Sequence, residues 1–308
     1  MTAVASGTAT DFLDLYTKLR DFLTSNADLV SASEEWTLVD GNSGTLTTTD
    51  NLVFSGPGLG GTDEILVSLE PNVNAGAGYH NLGVRGLTAY NDAEPLSSQV
   101  NNSGVKYIHL WDSSMPYWFI ANGRRFIVVA RPSTVYQAMY AGFALPFHLP
   151  TTYPYPLFVG GCSSNATWAY SKASGDHSMF FNPGTVCSAI CSPELTWFPI
   201  CNQKDDPTAS GGDYYSNLAH PNRIAPWAAA HRLSDLRDRI DGGYQLEHSY
   251  ITCSEGYNAT LAELDGVFKV SGFSNSSESI ITIGSTDYLV VQNVYRTSNE
   301  HYAAIALE

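Results

Sequence analysis

The sequence predicts an α+β protein that is mainly β, with antiparallel sheets, an N-terminal helix and one or two further short helices. Three observations lead to this fold class. Short apolar runs with period-two alternation recur along the chain, Asn122-Gly123 separates two of them, and the N-terminal region carries a helical apolar period. The first pattern favours half-buried strands, the second a two-residue hairpin turn, and the third an amphipathic helix.

The N-terminal helix is predicted from apolar side chains that recur on one of its faces. These are Phe12, Leu15, Tyr16, Leu19, Phe22 and Leu23. Thr10 is the expected N-cap, and Asp11 and Asp14 suit the positive end of the helix dipole. The preceding residues 1–10 are small and polar, and we expect them to form a flexible or docking arm.

Strand-like runs follow the helix at Trp36–Asp40, Asn51–Ser55 and Asp63–Glu70. A glycine-rich loop at residues 56–61 joins the last two runs. A phosphate-binding loop needs a Gly-Lys-Ser/Thr sequence that opens a helix, whereas this loop has no lysine and a strand follows it. We therefore predict a hairpin here. The next predicted strands are Tyr79–Leu87 and Val105–Trp111.

The stretch from Pro116 to Cys162 is the densest in aromatic residues and proline. Tyr117–Ala121 and Phe126–Arg131 are predicted to pair as a hairpin, with Asn122-Gly123 as its turn. Pro132–Ala144 predicts a short helix, because several of its larger side chains share a face at helical spacing. They are Val135, Tyr136, Met139 and Tyr140. The following LPTTYPYPLFVGGC segment is predicted to be extended, since proline fixes φ and excludes helix.

The remainder predicts short strands, one helix and a C-terminal β unit. The helix is Trp227–Ile240, and the strands are Thr167–Tyr170, Met179–Phe181, Leu195–Pro199, Gln245–Thr252, Gly266–Val270, Ser279–Ile283, Tyr288–Tyr295 and Tyr302–Leu307. We divide the chain into a β core with its N-terminal helix at 1–162, a loop-rich region at 163–244 and the β unit at 245–308. These parts are also compatible with one continuous domain.

The composition excludes some classes of function. Charged residues make up 15% of the chain, below the roughly 25% of an average domain. Such a surface suits permanent contact with other subunits, because charges are depleted in interface cores; an unusual soluble monomer is the alternative. The formal net charge of −15 opposes sequence-specific nucleic-acid binding. No run approaches a membrane span and no secretory signal is present, so we expect folding in a cytosol.

We predict no catalytic, cofactor-binding or metal-binding residues. The sequence has no G-x-S-x-G or H-E-x-x-H motif. The five cysteines are expected to be reduced and packed as small hydrophobic residues. A structural zinc held by Cys187, Cys191 and Cys201 is the alternative, but no further ligand stands at a suitable spacing.

The residues singled out for contacts are aromatic or basic. As candidates for a subunit interface we take Arg124, Arg125, Tyr153, Tyr155 and Phe158. Arg124 and Arg125 lie at the predicted hairpin tip, where they either grip an acidic partner or form a solvated turn. A second set of rings is read either as core and interface anchors or as a sugar platform. It consists of Tyr153, Tyr155, Trp168, Trp197, Tyr214 and Tyr215.

Two long stretches resemble a family of tailed-bacteriophage virion proteins. Residues 117–161 match its pattern YWFxANGRRFIVVA…STVYQAxYAGF…YPYPLFVGG, and residues 261–298 match LxELDGVxxVSGFxN…TIxxxxYLVVQNVxRT. The FLxxxxDLV segment of the N-terminal helix and the GPGLGGTDEI loop at 56–65 also look like this family. The match is loosest over 163–245, so contacts made there are specific to this chain.

The resemblance implies a structural part of the virion and carries no catalytic assignment. It implies a homo-oligomeric tail protein near the baseplate, made in the host cytoplasm, that forms a ring of identical copies and contacts the tail tube or sheath. Members are often found in contractile-tailed phages. A head–tail neck or connector protein is the alternative within this class. A glycan-binding receptor module is an alternative of another class, and a cell-wall hydrolase is a third.

Overall fold

A computed structural model of the chain describes residues 2–58, 61, 63–171, 187–200, 222–225, 243–253, 259–299 and 301–308. The predicted fold class is confirmed, since the structure is mainly β with antiparallel sheets and an N-terminal helical region. The helices are α1 (Phe12–Ser25) and α2 (Ala27–Ala32). Met179–Phe181 and Trp227–Ile240, predicted as a strand and a helix, lie outside the described residues.

The strands of the described part are listed here in chain order. They are β1 (Ala3–Ala9), β2 (Thr37–Asp40), β3 (Leu52–Gly56), β4 (Ile65–Asn74), β5 (Tyr79–Leu87), β6 (Lys106–Leu110), β7 (Met115–Ala121), β8 (Arg125–Ala130), β9 (Gln137–Phe143), β10 (Leu145–Pro146), β11 (Leu157–Gly160), β12 (Ser188–Cys191), β13 (Trp197–Ile200), β14 (Asn222–Ala225), β15 (Glu247–Cys253), β16 (Ala259–Val270), β17 (Ile280–Ile283), β18 (Thr286–Gln292) and β19 (Tyr302–Ala306).

These strands form three sheets, all with antiparallel pairing. The lateral sheet has the order β2-β3-β4-β5-β6, and the central sheet has the order β1-β7-β8-β9-β11-β12-β13. The C-terminal sheet has the order β14-β15-β16-β19-β18-β17, with β10 pairing beside β16. Since β12 and β13 belong to the central sheet, residues 187–200 extend the β core of the N-terminal half.

The central sheet is buried on both faces and separates two hydrophobic cores. In β8, Phe126 and Val128 face the core shared with α1 and the lateral sheet, whereas Ile127 and Val129 face the core shared with the C-terminal sheet. Successive side chains of a strand point to opposite faces, so a strand covered on both sides reads as one apolar run. This explains the unbroken FIVVA sequence of β8.

Helix α1 packs its apolar face against the first of these cores. Its predicted apolar face is confirmed, since all six side chains of that face are buried. The N-cap is Asp11 rather than Thr10, because the Asp11 carboxylate accepts the Asp14 N–H at 2.8 Å. The Thr10 N–H instead donates to the Asp14 carboxylate. Asn26 ends α1 and caps α2 by accepting the Asp28 N–H.

The predicted short helix at Pro132–Ala144 is wrong, because residues Gln137–Phe143 form strand β9. This strand lies between β8 and β11, and all seven of its residues are buried. Met139 faces one core and Tyr140 faces the other, which is the period-two arrangement of a strand. Periodicity alone cannot separate a strand buried on both faces from a short buried helix.

The described secondary structure decides three further predictions. Residues 3–9 form no flexible arm but strand β1, which pairs with β7 along its whole length. The glycine-rich loop joins β3 and β4, which pair antiparallel, so the hairpin prediction is confirmed. Residues 167–170, predicted as a short strand, form turns and irregular structure.

Replacing a large side chain that touches the core beside α1 should destabilise the protein strongly. Phe126 is fully buried and its ring meets Trp36 edge-on at a centroid distance of 5.2 Å. We expect Phe126→Ala to lower the free energy of unfolding by about 3–5 kcal/mol, measured by equilibrium denaturation in urea. The matched control is Phe147→Ala at a side chain that is 53% exposed; its change should stay within about 0.5 kcal/mol. Equal losses in the two variants would contradict the described core.

Candidate functional site: a buried junction at the hairpin tip

The tip of the β7–β8 hairpin is held by the side chain of Asn122. The side-chain Oδ1 accepts the backbone N–H groups of Arg124 at 2.9 Å and Arg125 at 3.0 Å. The backbone N–H of Asn122 donates to the Arg125 carbonyl at 3.0 Å. The hairpin prediction is confirmed, but the two residues of the turn are Gly123 and Arg124, not Asn122 and Gly123. The Asn122 amide acts in place of a backbone carbonyl, as asparagine commonly does in turns.

Two other segments, the one after α2 and the loop after β3, reach this turn through its backbone. The Gly123 N–H donates to Glu34 Oε2 at 3.1 Å, and the Gly123 carbonyl accepts the Gly58 N–H at 2.7 Å. The Trp36 indole N–H donates to the Asn122 carbonyl at 2.9 Å. A Cβ on Gly123 would lie 2.2 Å from the Gly58 oxygen. Glycine is therefore required at residue 123 by close backbone approach and not by a positive φ.

Asp265 of β16 contacts the same turn from the C-terminal sheet. Its Oδ2 lies 3.2 Å from Arg124 Nη2, 3.5 Å from Arg125 Nε and 3.2 Å from the Asn122 amide nitrogen. The Arg125 side chain is only 1% exposed, so Asp265 supplies the nearest negative charge to a cation that water cannot reach. Gly266 follows with a φ of +72°, and a Cβ there would lie 2.7 Å from Arg125 Nη2. The strand therefore bends at a glycine to admit the guanidinium.

We term this set of contacts the hairpin junction: Glu34, Trp36, Gly58, Asn122–Arg125 and Asp265. It connects the segment after α2, the loop after β3, the central sheet and the C-terminal sheet. Three of the sequence stretches that carried the resemblance, ANGRR, GPGLGG and ELDG, meet here. The arrangement fixes the layers of the fold relative to one another, because buried ion pairs and backbone hydrogen bonds are directional.

Tyr140 shows how low the local polarity is beneath the junction. Burial raises the pKa of its hydroxyl well above the usual range, and the negative charge of Asp265 acts in the same direction. The hydroxyl therefore stays protonated and donates to the Phe143 carbonyl at 2.8 Å. A neutral donor in this position stiffens the end of β9 next to the ion pairs.

Three of the five predicted interface residues are enclosed within this chain. Arg125, Tyr153 and Phe158 are at most 1% exposed. The Tyr153 hydroxyl donates to the Cys191 carbonyl, and Phe158 packs edge-on against Tyr140. These three side chains therefore present almost no surface to a neighbouring subunit in this conformation, and a subunit contact through them stays a prediction.

The other two candidates keep part of their surface in solvent. Arg124 is partly exposed beside Asp265, with a quarter of its side chain accessible. The Tyr155 hydroxyl donates to the Leu87 carbonyl at 2.8 Å and accepts the Leu66 N–H at 3.1 Å. It thereby joins β4 to β5 at the end of the lateral sheet. A subunit contact through Arg124 or Tyr155 stays a prediction.

The rings considered for a sugar platform also make contacts within the chain. The Trp197 indole N–H donates to the Asn101 carbonyl at 2.7 Å, and the Trp168 ring lies 6.1 Å from His109. With Tyr153 buried, the described members of this set act as anchors between segments of the chain rather than as one open surface. Tyr214 and Tyr215 lie outside the described residues.

A chain of hydrogen bonds that the sequence did not reveal links Asn81, His109 and Ser163. The Asn81 amide nitrogen donates to the Ala166 and Trp168 carbonyls, so Asn81 Oδ1 is left to accept from His109 Nδ1 at 3.1 Å. His109 Nε2 then accepts the Ser163 hydroxyl at 2.9 Å. The order of groups is that of a serine hydrolase triad with an asparagine in place of the aspartate.

The environment of the Asn81–His109–Ser163 hydrogen bonds favours a structural role over nucleophilic catalysis. Asn81, His109 and Ser163 are at most 1% exposed, so no substrate reaches the Ser163 oxygen in this conformation. Burial lowers the pKa of His109 to about 4, which makes the imidazole a weak base. Ser163 Oγ also accepts the Asn165 N–H at 2.9 Å. The three side chains therefore tie β5 and β6 to the loop that follows β11.

The described cysteines are all buried. These are Cys162, Cys187, Cys191 and Cys253; Cys201 lies outside the described residues. Burial raises the pKa of the Cys191 thiol to about 12, so it stays protonated. Among the described residues, no group of three or more His, Cys, Asp or Glu side chains is arranged to hold a metal ion. In the same part of the chain, no helix has the length and apolar character needed to cross a membrane.

Comparison with known protein families and with curated proteins assigns no family to the chain. No model of a known protein family matches the chain, and no curated protein matches it. The bacteriophage resemblance therefore stays a prediction, and the geometry of the hairpin junction has to be interpreted on its own terms.

Removing the charge of Asp265 should destabilise the protein more than removing an exposed carboxylate. Asp265→Asn leaves Arg125 buried without its counter-ion, and we expect a loss of about 3–5 kcal/mol in the free energy of unfolding. Asp92→Asn, at an exposed position, is the matched control and should change it by less than about 0.5 kcal/mol. The double variant Asp265→Asn/Arg125→Met should recover part of the loss. Strictly additive losses would contradict a coupled ion pair.

His109 should make the stability pH-dependent between about pH 6.5 and 4. Burial lowers its pKa in the folded protein to about 4, from the usual 6.5 of an exposed imidazole. The unfolded chain therefore binds the proton first, and stability is lost as the pH falls through this window. The expected contribution is on the order of 3 kcal/mol. Urea denaturation of wild type and His109→Gln should show a smaller acid loss in the variant.

The protonation state of His109 can also be read in the wild-type protein by imidazole ¹⁵N NMR. The His109 signals should remain those of a neutral Nδ1–H ring at pH 5. A charged ring at that pH would refute the hydrogen-bond assignment, even if His109→Gln fails to fold.

Proposed function

We propose that this chain is a structural component of a bacteriophage virion, a homo-oligomeric tail protein that lies near the baseplate and contacts the tail tube or sheath. The observation that carries the proposal is the hairpin junction. The stretches that resemble the virion-protein family, which lie far apart in the sequence, meet there in one buried set of contacts. The residues of these stretches hold the layers of the fold together, and in the junction they do not line an open cleft.

A mechanical role is supported by how the junction connects the layers. Arg125 at the start of β8 contacts β16, and Arg131 just after β8 forms an ion pair with Glu278, which precedes β17. Strand β8 thus crosses the C-terminal sheet and is fixed to it at both ends. A part that keeps subunits in register under load needs such cross-links, because hydrogen bonds within a sheet do not hold two sheets together.

The glycan-binding alternative has one observation in its favour. Phe147 and Tyr250 are 53% and 37% exposed, with ring centroids 5.9 Å apart, and the His248 ring lies 5.9 Å beyond Tyr250. Exposed aromatic side chains of this kind are typical of binding surfaces. A Phe147→Ala/Tyr250→Ala phage that adsorbs to its host more than about tenfold slower, with normal tails, would favour this alternative.

The location of the protein in the virion tests the proposal. Phage particles that carry an affinity-tagged copy should bind gold-labelled antibody in a ring at the baseplate end of the tail, seen by electron microscopy. A ring at the head–tail joint would favour the neck protein instead. Label on capsid vertices or fibre tips, or absence of the chain itself from purified particles, would refute a tail component.

A further inference from the structure

The free edge of β1 distinguishes one side of the central sheet. β1 pairs with β7 on one side, and in the described part of the chain β7 is its only hydrogen-bonded neighbour. Its sequence, AVASGTA, has no charged residue and no proline, and its pairing with β7 is continuous without a bulge. Ser6, Gly7 and Thr8 are exposed. Among the described residues, nothing pairs with the outward N–H and C=O groups of β1, and this row is open to another strand.

Other edge strands in the described residues are protected in ways that β1 is not. β2 carries Asp40 and an irregularity in its register with β3, and β6 carries Lys106 and is bridged to Ser163 through Tyr107. β17 has four residues, which is short for pairing. Charges, bulges, coverage and short length are the means by which proteins block edge-to-edge association. The seven-residue edge of β1 uses none of them.

From this contrast we propose that β1 is an interaction surface for a second copy of this chain, paired antiparallel about a two-fold axis at Ser6. Antiparallel pairing requires that facing residues share a side of the sheet. Centring on Ser6 meets this requirement and pairs all seven residues, with Ala3 opposite Ala9, Val4 opposite Thr8 and Ala5 opposite Gly7. A shift by one residue would turn one copy over and expose its core side.

The charge of the protein limits where two copies can meet, and β1 fits that limit. Two chains that each carry a net charge of −15 repel one another, so contact between copies is least costly where carboxylates are absent. The carboxylates nearest to β1 in the sequence, Asp11 and Asp14, lie past its end and act in capping α1. In the proposed register they lie beyond the end of the partner's strand. The paired surface thus joins two acidic molecules without placing like charges opposite each other.

This contact goes beyond the proposed function. Rings close through heterologous contacts, in which two different patches meet, whereas a β1–β1 contact is isologous and joins copies in pairs. The pairing is therefore additional to the ring contact and independent of the position of the protein in a tail.

A charge-exchange experiment tests the pairing. Ser6→Lys and Ser6→Glu each place like charges opposite one another at the two-fold axis. Each variant alone should weaken the dimer of the full-length protein about tenfold or more, measured as the Kd by analytical ultracentrifugation. An equimolar mixture of the two should restore dimers, because opposite charges then face each other. Thr37→Lys, at an exposed position of the lateral edge strand β2, is the control and should dimerise as wild type does.

Several results would overturn the pairing. They are a wild-type protein that stays monomeric at high micromolar concentration, variants that associate as wild type does, and a mixture that fails to recover dimers. Circular dichroism and thermal melting must show that both variants fold. The pairing and the proposed function can fail separately. Label at the baseplate, together with association that does not depend on Ser6, would refute the pairing alone. Ser6-dependent dimers of a protein that is absent from tails would refute the tail role alone.

Discussion

The fold depends on the placement of one buried cation. Arg125 stands where the central sheet meets the C-terminal sheet, and its guanidinium is almost wholly enclosed. Enclosing a charge is costly unless a counter-ion and hydrogen bonds accompany it. Asp265 can supply the charge because Gly266 leaves space, and the turn that carries Arg125 can approach the Gly58 loop because Gly123 has no side chain. The placement of this side chain thus depends on residues of the C-terminal sheet and of the loop after β3.

The same requirement gives the layers a defined relative position. Apolar cores alone tolerate sliding, because many packings bury similar area. The hydrogen bonds that Asp265, Glu34, Trp36 and Gly58 make to the turn tolerate little displacement, so the junction selects one arrangement of the C-terminal sheet on the central sheet. Asn122 also contributes, because its side chain fixes the conformation of the turn that carries Arg124 and Arg125. Specificity, more than net stability, is the expected benefit of such a buried polar set.

Local features of the sequence predicted much of this fold, and distant ones did not. The helix face from Phe12 to Leu23 and the β7–β8 hairpin follow from patterns within a few residues, and both are present. β9 was misread because burial on both faces removes the alternation that identifies a strand. β1 was missed because AVASGTA is too small and weakly apolar to show a period.

The partners within the candidate site were beyond the reach of local patterns. Arg124 and Arg125 were singled out as a pair, but Asp265 lies 141 positions from Arg124 and carries no signal of its own. The Asn81–His109–Ser163 chain has the same character, since each member is an isolated polar residue in or beside an apolar strand. Such contacts are created by the topology and become visible only when the strands are placed together.

The pairing of β1 with β7 also has a consequence for synthesis. Ala3 lies opposite Ala121, so β1 leaves the ribosome well before the strand with which it pairs. Contacts between distant segments form late, because the loop between them must first be closed. β1 therefore stays without β7 while the segment between the two strands is synthesised. Its small, weakly apolar residues suit that interval, since a more hydrophobic strand would expose each growing chain to association with its neighbours on the same message.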